Sequence, residues 1–104
     1  MNGLTLPIPL DEEAIRTFCR RWRMAELSLF GSVLRPGEFR EDSDIDVMVS
    51  FEPDARWTLF EFVEMGDELT QLFGRKVDLL SKRALKNPIR RQSILSTARV
   101  LYAA

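Results

Sequence analysis

The sequence predicts a single α/β domain over residues 1–104, in which a small mixed β-sheet is covered by helices. Short apolar runs with strand-like spacing alternate along the chain with segments that have the spacing of amphipathic helices. A chain of 104 residues is large enough for one hydrophobic core and too small for two. The sequence contains no internal repeat, linker or low-complexity stretch, which agrees with one domain.

The first part of the chain is predicted to contain an arm, a helix and a strand. Residues 1–10 are interrupted by prolines and are predicted to form an irregular N-terminal arm. A helix is predicted from Asp11, a suitable N-cap residue, to Arg23, and a strand follows at about 26–30. Residues of the helix with i, i+3, i+4, i+7 spacing predict its buried face, namely Ile15, Phe18, Cys19 and Trp22.

The middle of the chain is predicted to contain a strand at about 44–51 and a long helix at about 56–73. A loop broken by Pro36-Gly37 precedes the strand, and Gly74 is the expected terminator of the helix. The predicted buried face of the helix consists of Leu59, Phe62, Val63, Gly66, Leu69 and Phe73. The glycine in this face indicates close packing of the helix.

The last part of the chain is predicted to contain two strands and a short helix. An apolar run predicts a strand at about 75–80. Asn87 followed by Pro88 is typical of an N-cap and a first helical residue, and this helix is predicted to end near residue 96. A terminal strand is predicted at 99–103.

The composition of the chain limits the classes of function that we expect of it. The balance of 15 basic and 16 acidic residues gives no electrostatic case for direct nucleic-acid binding. No run approaches the roughly 18 apolar residues of a membrane span, and the N-terminus lacks a signal-peptide pattern. The single cysteine, Cys19, agrees with a reducing compartment, so we expect a cytoplasmic protein without membrane attachment. Because the chain has no histidine, any metal site should consist of oxygen ligands.

A pair of motifs predicts the functional site. Eleven residues separate Gly31-Ser32 from Asp44-Ile45-Asp46-Val47. In an extended strand the side chains of Asp44 and Asp46 point to one face, while the apolar residues that alternate with them point into a core. Two neighbouring carboxylates repel each other. A divalent cation removes that repulsion, and Mg²⁺, which prefers oxygen ligands, is the expected occupant.

The Gly31-Ser32 turn is the expected phosphate-binding element. Gly31 follows an apolar strand and permits close approach of a ligand to the backbone. A short helix beginning after Ser32 would direct free N–H groups and its dipole toward an anion, and the Ser32 hydroxyl could donate to a phosphate oxygen.

Asp78 is a third candidate carboxylate, because it interrupts an otherwise apolar strand. Burying an unpaired carboxylate is costly, so Asp78 should face a metal, a cation or solvent. An isolated Asp-x-Asp is usually a solvated strand end, and only the combination with the Gly-Ser turn and Asp78 favours a metal site.

Several basic side chains have two interpretations. Arg35 and Arg40 could clamp phosphate, since guanidinium groups bind phosphate oxygens bidentately, or could be ordinary surface charges. Basic clusters that are expected to be solvated, but could receive an acidic partner or a phosphate, occur at Arg20-Arg21-Arg23, Lys82-Arg83-Lys86 and Arg90-Arg91.

These motifs carry a family resemblance. Phe30-Gly31-Ser32, the spacer and Asp44-Ile45-Asp46-Val47 resemble the signature of the polymerase-beta-like nucleotidyltransferase superfamily, in which roughly nine to thirteen residues separate the two parts. The small size, Ser43-Asp44-Ile45-Asp46 and Lys76-Val77-Asp78-Leu79-Leu80 further resemble the minimal nucleotidyltransferases (MNT), the antitoxins of HEPN/MNT toxin–antitoxin pairs.

The resemblance implies a polymerase-beta-like nucleotidyltransferase core and a protein adenylyltransferase activity. AMP would pass from ATP to a tyrosine hydroxyl of a partner HEPN-domain toxin, with release of pyrophosphate, by a mechanism with two Mg²⁺ ions, and the chain would form a hetero-oligomer with the toxin. By the same resemblance, Asp44, Asp46 and Asp78 are metal ligands and catalytic residues, and Asp78 accepts the proton of the attacking hydroxyl. Nucleotide binding is expected of Gly31, Ser32, Arg35 and Ser43.

Two alternatives remain open at the level of sequence. The chain could be a binding antitoxin that neutralises its partner by contact, through the basic clusters or through the apolar arm residues Leu4, Leu6, Ile8 and Leu10. It could also be a subunit of an enzyme that modifies a small molecule.

Overall fold

The structure, a computed structural model, describes residues 6–104. Every predicted helix and strand is present within that range. In chain order the elements are α1 (Glu12–Arg21), β1 (Met24–Phe30), a 3₁₀ turn (Gly31–Leu34), β2 (Ile45–Phe51), α2 (Leu59–Phe73), β3 (Val77–Ser81), a second 3₁₀ turn (Lys82–Ala84), α3 (Pro88–Thr97) and β4 (Arg99–Ala103).

The four strands form one mixed sheet in the order β3-β2-β1-β4. β1 is antiparallel to both of its neighbours, β2 and β4, whereas β2 and β3 run parallel. A parallel pair needs a crossover connection, and α2 provides it. The prediction of a small mixed sheet covered by helices is therefore confirmed.

The main core lies between one face of the sheet and helices α1 and α2. Alternation along β2 directs Ile45, Val47 and Val49 into this core, where they are 0, 0 and 1 % exposed. The predicted stripe of α1 is also confirmed, because all of its members are buried: Ile15, Phe18, Cys19 and Trp22. Burial raises the pKa of the Cys19 thiol to about 12.

The opposite face of the sheet is covered in part by α3 and the segment before it. A smaller apolar cluster forms there from Phe30, Met48 and Leu85, with Ile94 of α3 packed against it. Met48 alternates with the core-facing residues of β2 and therefore shares its face with Asp46. α3 is thus held over the face of the sheet that carries the predicted site.

α1 begins as predicted and ends earlier. The carboxylate of Asp11 caps the helix by accepting a hydrogen bond from the Ala14 backbone N–H at 3.0 Å. The predicted last residue, Arg23, lies outside α1 because its backbone is left-handed, with φ of 54°. Its guanidinium forms ion pairs with Glu52 and Asp54, which tie the end of α1 to the end of β2.

α2 begins three residues later than predicted, at Leu59. Thr58 and Glu61 form a capping box at this end, in which each side chain accepts from the backbone N–H of the other residue. Before the cap, the Trp57 indole N–H donates to the Trp22 carbonyl at 3.0 Å. Gly74 ends the helix in the left-handed conformation, as predicted.

The predicted buried face of α2 is partly wrong. Leu59 and Val63 are 76 and 56 % exposed, and Met65 is fully buried instead. The helix packs against the sheet through Met65, Leu69 and Phe73, with Phe62 and Leu72 at the margin of the core. Gly66 faces the sheet, because a Cβ there would contact Leu79 of β3 at 4.0 Å.

The described part of the N-terminal arm packs on the core of this chain. Ile8 is buried, and Leu6 and Leu10 pack against the same cluster. These three residues therefore do not form a free apolar surface for a partner, contrary to the alternative considered above. Leu4, the fourth residue of that expectation, lies outside the described residues. None of the helices in residues 6–104 is long and apolar enough to cross a membrane.

The orientation of α2 can be tested with two leucines of the same helix. We expect Leu69→Ala to lower the free energy of unfolding by about 2–5 kcal/mol, because it leaves a cavity in the main core. The matched change Leu59→Ala removes an exposed side chain and should alter the free energy by less than about 0.5 kcal/mol. Urea denaturation followed by circular dichroism measures both. Equal losses for the two variants would contradict this orientation.

Candidate active site

The register between β2 and β3 brings two predicted carboxylates together. Asp46 and Asp78 are direct partners across the parallel pair, on strands about 4.8 Å apart. Both alternate with core-facing residues, so both lie on the sheet face opposite the main core. Asp44 precedes β2, two residues before Asp46. The three carboxylates predicted from the sequence therefore occupy one end of β2 and β3.

The pKa of Asp46 reflects its surroundings in this cluster of carboxylates. Its pKa is raised, first because the carboxyl is partly removed from water, and then because the negative charges of Asp78 and Asp44 are near. The positive charges of Arg35 and Arg90 act in the opposite direction. A cation or a ligand-bound cation would relieve this repulsion.

Gly31 contacts the Asp46 carboxylate directly. Its φ is +79°, a value that favours glycine. A Cβ at this position would overlap the Asp46 carboxylate, with the Asp46 Cγ only 3.1 Å away. The turn can approach the carboxylate this closely because residue 31 has no side chain.

The turn after β1 differs from the predicted helix. It is a single 3₁₀ turn that starts at Gly31, two residues earlier than expected, and ends at Leu34. Such a short element has no appreciable macrodipole, so the expected contribution of a helix dipole is not supported. The Ser32 hydroxyl makes no hydrogen bond to any of residues 6–104, so within these residues it is available to donate to a ligand.

The loop between the turn and β2 holds the other two predicted nucleotide-binding residues. The Arg35 guanidinium is exposed and pairs with Glu38 at 2.7 Å. Ser43 closes the loop, because its hydroxyl accepts a hydrogen bond from the Arg40 backbone N–H at 2.9 Å. The Arg40 carbonyl accepts from Arg75, so this loop is tied to the segment before β3.

Two basic side chains near the carboxylates were not among the predicted site residues. Lys76 Nζ lies 3.9 Å from an Asp44 carboxylate oxygen. Arg90, in the first turn of α3, is close enough for its charge to affect Asp46. Both residues lie within segments that the sequence analysis singled out, but their proximity to Asp44 and Asp46 depends on the fold.

The donor set fits a magnesium ion that is completed by a ligand. Within residues 6–104 no three acidic or cysteine side chains are arranged as a ready metal site. Mg²⁺ is usually held by one or two carboxylates together with substrate phosphates, so a complete protein cage is not needed. Asp46 and Asp78, with Asp44 beside them, offer only oxygen donors. The pKa of Asp46 is raised, first by burial and then by the charges of Asp78 and Asp44, so a bound cation would be favoured beside this carboxylate.

Two grooves in the described part of the chain are lined by residues other than the three carboxylates. A groove of about 830 Å³ lies at the opposite end of β2 and β3, where Ser50, Trp57 and Lys82 are among its lining residues. We place the site at the carboxylates rather than in this groove because, within the described residues, acidic side chains, a glycine contact and a hydroxyl without a hydrogen bond occur together there. An open face suits a reaction whose acceptor arrives from outside.

A mixed sheet with paired carboxylates beside a glycine turn defines a nucleotide-transferring class of site, and comparison with known proteins agrees. The sequence model of the family described as Nucleotidyltransferase domain matches residues 11–101. The chain belongs to this nucleotidyltransferase domain family.

Individual relatives support the assignment. The chain is 42 % identical over 69 residues to the protein adenylyltransferase MntA of Thermococcus cleftensis, covering 66 % of this chain and 67 % of the relative. A solved structure provisionally named a minimal nucleotidyltransferase is 39 % identical, with a TM-score of 0.68, over 84 % of this chain and 85 % of the other.

Two solved toxin–antitoxin structures share the fold at lower identity. One contains AMP-PNP and matches with a TM-score of 0.70 at 23 % identity, over 91 % of this chain and 75 % of the other. The second is a tri-AMPylated HEPN toxin of Shewanella oneidensis in complex with an MNT antitoxin. It matches with a TM-score of 0.64 at 21 % identity, over 89 % of this chain and 70 % of the other.

The contact between Gly31 and Asp46 can be tested with two glycines that share a positive φ. Gly31→Ala and Gly37→Ala should both introduce backbone strain of about 1–2 kcal/mol. Gly31→Ala should cost about 1–3 kcal/mol more, because the Asp46 carboxylate must move, whereas nothing lies within 4 Å of a Cβ at Gly37. Urea denaturation measures both losses. The extra loss should shrink in the double variant with Asp46→Ala, and its persistence there would argue against the contact.

The crowding of Asp46 predicts a pH dependence of stability. The folded-state pKa is raised, so the folded wild type binds more protons than the unfolded chain between the two pKa values and loses stability as pH rises through that window. Asp46→Asn removes this loss. The melting temperature of Asp46→Asn minus that of wild type should therefore increase from about pH 3 to about pH 7. The exposed loop variant Asp42→Asn is the control, and a difference that falls with pH would contradict the assignment.

Proposed function

We propose that this chain is a protein adenylyltransferase that transfers AMP from ATP to a tyrosine hydroxyl of a partner HEPN-domain toxin and releases pyrophosphate. The observation that carries the proposal is the pairing of Asp46 with Asp78 beside Gly31 on an open sheet face. The similarity to a protein adenylyltransferase and to a toxin–antitoxin structure with AMP-PNP, an ATP analogue, supports the choice of AMP and ATP.

The chemistry requires an attack in line with the bond that breaks. The tyrosine oxygen forms a bond to the α-phosphorus of ATP while the bond from that phosphorus to the bridging oxygen breaks, and pyrophosphate leaves with that oxygen. Asp78 accepts the tyrosine proton. Asp78 is exposed at the edge strand of the sheet, where a hydroxyl from another protein can reach it.

The remaining predicted residues bind the triphosphate. Gly31 lets the turn lie against the Asp46 carboxylate, so phosphate oxygens bound there come near the backbone of the turn, and the Ser32 hydroxyl donates a hydrogen bond to one of them. Arg35 is placed to contribute positive charge, because its guanidinium already acts on Asp46. Ser43 contributes by fixing the loop that leads into Asp44.

Asp44, Asp46 and Asp78 are the residues that would hold magnesium ions. When bound, two Mg²⁺ ions supply charge neutralisation for the triphosphate and activation of the acceptor oxygen. Binding would also relieve the two causes that raise the pKa of Asp46, first the removal of its charged form from water and then the nearby charges of Asp78 and Asp44. Magnesium should therefore stabilise the wild type against heat more than it stabilises Asp46→Asn.

The partner supplies the acceptor. The carboxylate face is open, and a similar structure combines an MNT antitoxin with a tri-AMPylated HEPN toxin, which supports a toxin of that kind as the acceptor. A nucleotide attached to a tyrosine near the toxin's ribonuclease site would block access of RNA. This reaction would make the chain an antitoxin.

Transfer should depend on the carboxylates. We expect Asp78→Asn and Asp46→Asn to lower the rate of AMP transfer at least about 100-fold, because each removes a metal ligand or the proton acceptor. The purified chain is incubated with labelled ATP, Mg²⁺ and the candidate HEPN protein, and mass spectrometry locates the added AMP. Asp42→Asn, in the exposed loop, should retain wild-type transfer.

The same assay separates the rival functions. Neutralisation of the toxin by Asp78→Asn without any transfer would favour an antitoxin that acts by contact. Label on a residue other than tyrosine would exclude the proposed acceptor. Circular dichroism of each variant shows whether a lost activity reflects a lost fold.

A further inference from the structure

α3 lies over the sheet face that carries the carboxylates. Its Ile94 packs against Phe30 and Met48, both of which belong to that face. Phe30 is also the strand partner of Asp46 across the antiparallel pair of β1 and β2. The side of α3 that carries Ile94 is therefore directed toward the site.

Arg90 lies on that same side of α3. It precedes Ile94 by four residues, one helical turn, so the two side chains share a face. The guanidinium of its neighbour Arg91 is already occupied, because it donates to the carbonyls of Lys82 at 3.3 Å and Leu85 at 3.2 Å. Arg91 thus ties the start of α3 to the segment before it, whereas the Arg90 guanidinium makes no such contact.

The Arg90 side chain has no protein partner within residues 6–104. It is exposed and forms no ion pair there, and the backbone N–H of the residue is bonded to the Asn87 cap. Burial and the neighbouring carboxylates raise the pKa of Asp46, and the positive charges of Arg35 and Arg90 are near enough to act in the opposite direction. Arg35 differs because Glu38 already pairs with it. Arg90 is therefore an exposed cation beside the acidic cluster whose side chain has no hydrogen bond or ion pair within residues 6–104.

We propose that Arg90 binds the outer phosphates of ATP and, together with Arg35, holds the triphosphate against the carboxylate face. The proposal rests on the proposed function, because it requires ATP at Asp46. A planar guanidinium can donate two parallel hydrogen bonds to phosphate oxygens, and a long side chain from the first turn of α3 can close over a ligand after it binds. The triphosphate then supplies the anionic partner that Arg90 lacks.

The test compares nucleotide affinity in three arginine variants of the full chain. Isothermal titration with ATP or AMP, in the presence of Mg²⁺, gives the dissociation constants. Arg90→Ala should weaken ATP binding about tenfold or more and change AMP binding less than about twofold, since AMP lacks the outer phosphates. Arg90→Lys should recover part of the loss. Arg83→Ala removes an exposed arginine that lines the groove at the far end of the sheet and should bind both nucleotides as wild type does.

Each outcome decides between the proposals. ATP binding by Arg90→Ala equal to that of wild type overturns the role of Arg90, and so does an equal loss for ATP and AMP or for Arg83→Ala. Wild-type chain that binds ATP but transfers no AMP to any partner overturns the proposed function alone. Wild-type chain that does not bind ATP overturns both.

Discussion

The placement of Asp46 beside Asp78 on neighbouring parallel strands is the constraint around which the site is arranged. The register is held from the other face of the sheet, where Ile45 and Val47 are fully buried. A slip of one residue would move the carboxylates into the core and the apolar side chains into water. The burial that stabilises the fold therefore also keeps two like charges together. Compensating positive charge comes from separate segments of the chain, through Lys76, Arg35 and Arg90.

The elements of the fold are predictable where the deciding signals are local in sequence. Alternation along β2, the Asn-Pro start of α3 and the glycine end of α2 need only neighbouring residues. The buried face of α2 is different, because apolar residues lie on more than one side of this helix. In the folded chain the sheet buries Met65 and leaves Val63 exposed, and the periodicity of the sequence does not predict which of the two is buried. The start of α2 can be predicted from the sequence, however, since Thr58 and Glu61 have the spacing of a capping box.

For the site, spacing in the sequence identifies the carboxylates and the turn but not what surrounds them. The alternation of Asp44 and Asp46 with apolar residues predicts a shared face, and Asp78 is conspicuous in an apolar strand. The overlap of Gly31 with the Asp46 carboxylate and the approach of Arg90 depend on contacts between distant segments. No local pattern specifies such contacts. The short 3₁₀ turn likewise reflects the tight path of the backbone around the carboxylate.

Because Cys19 is buried, its reactivity toward a thiol reagent reports how often the domain opens. Cys19 is the single thiol of the chain, it is 0 % exposed, and its raised pKa keeps the reactive thiolate scarce at neutral pH. A thiol reagent can modify it only after α1 has separated from the sheet. The rate of alkylation under native conditions therefore measures how often the domain opens, without an introduced label. Comparing that rate with and without nucleotide shows whether a ligand on one face of the sheet slows the opening of the other.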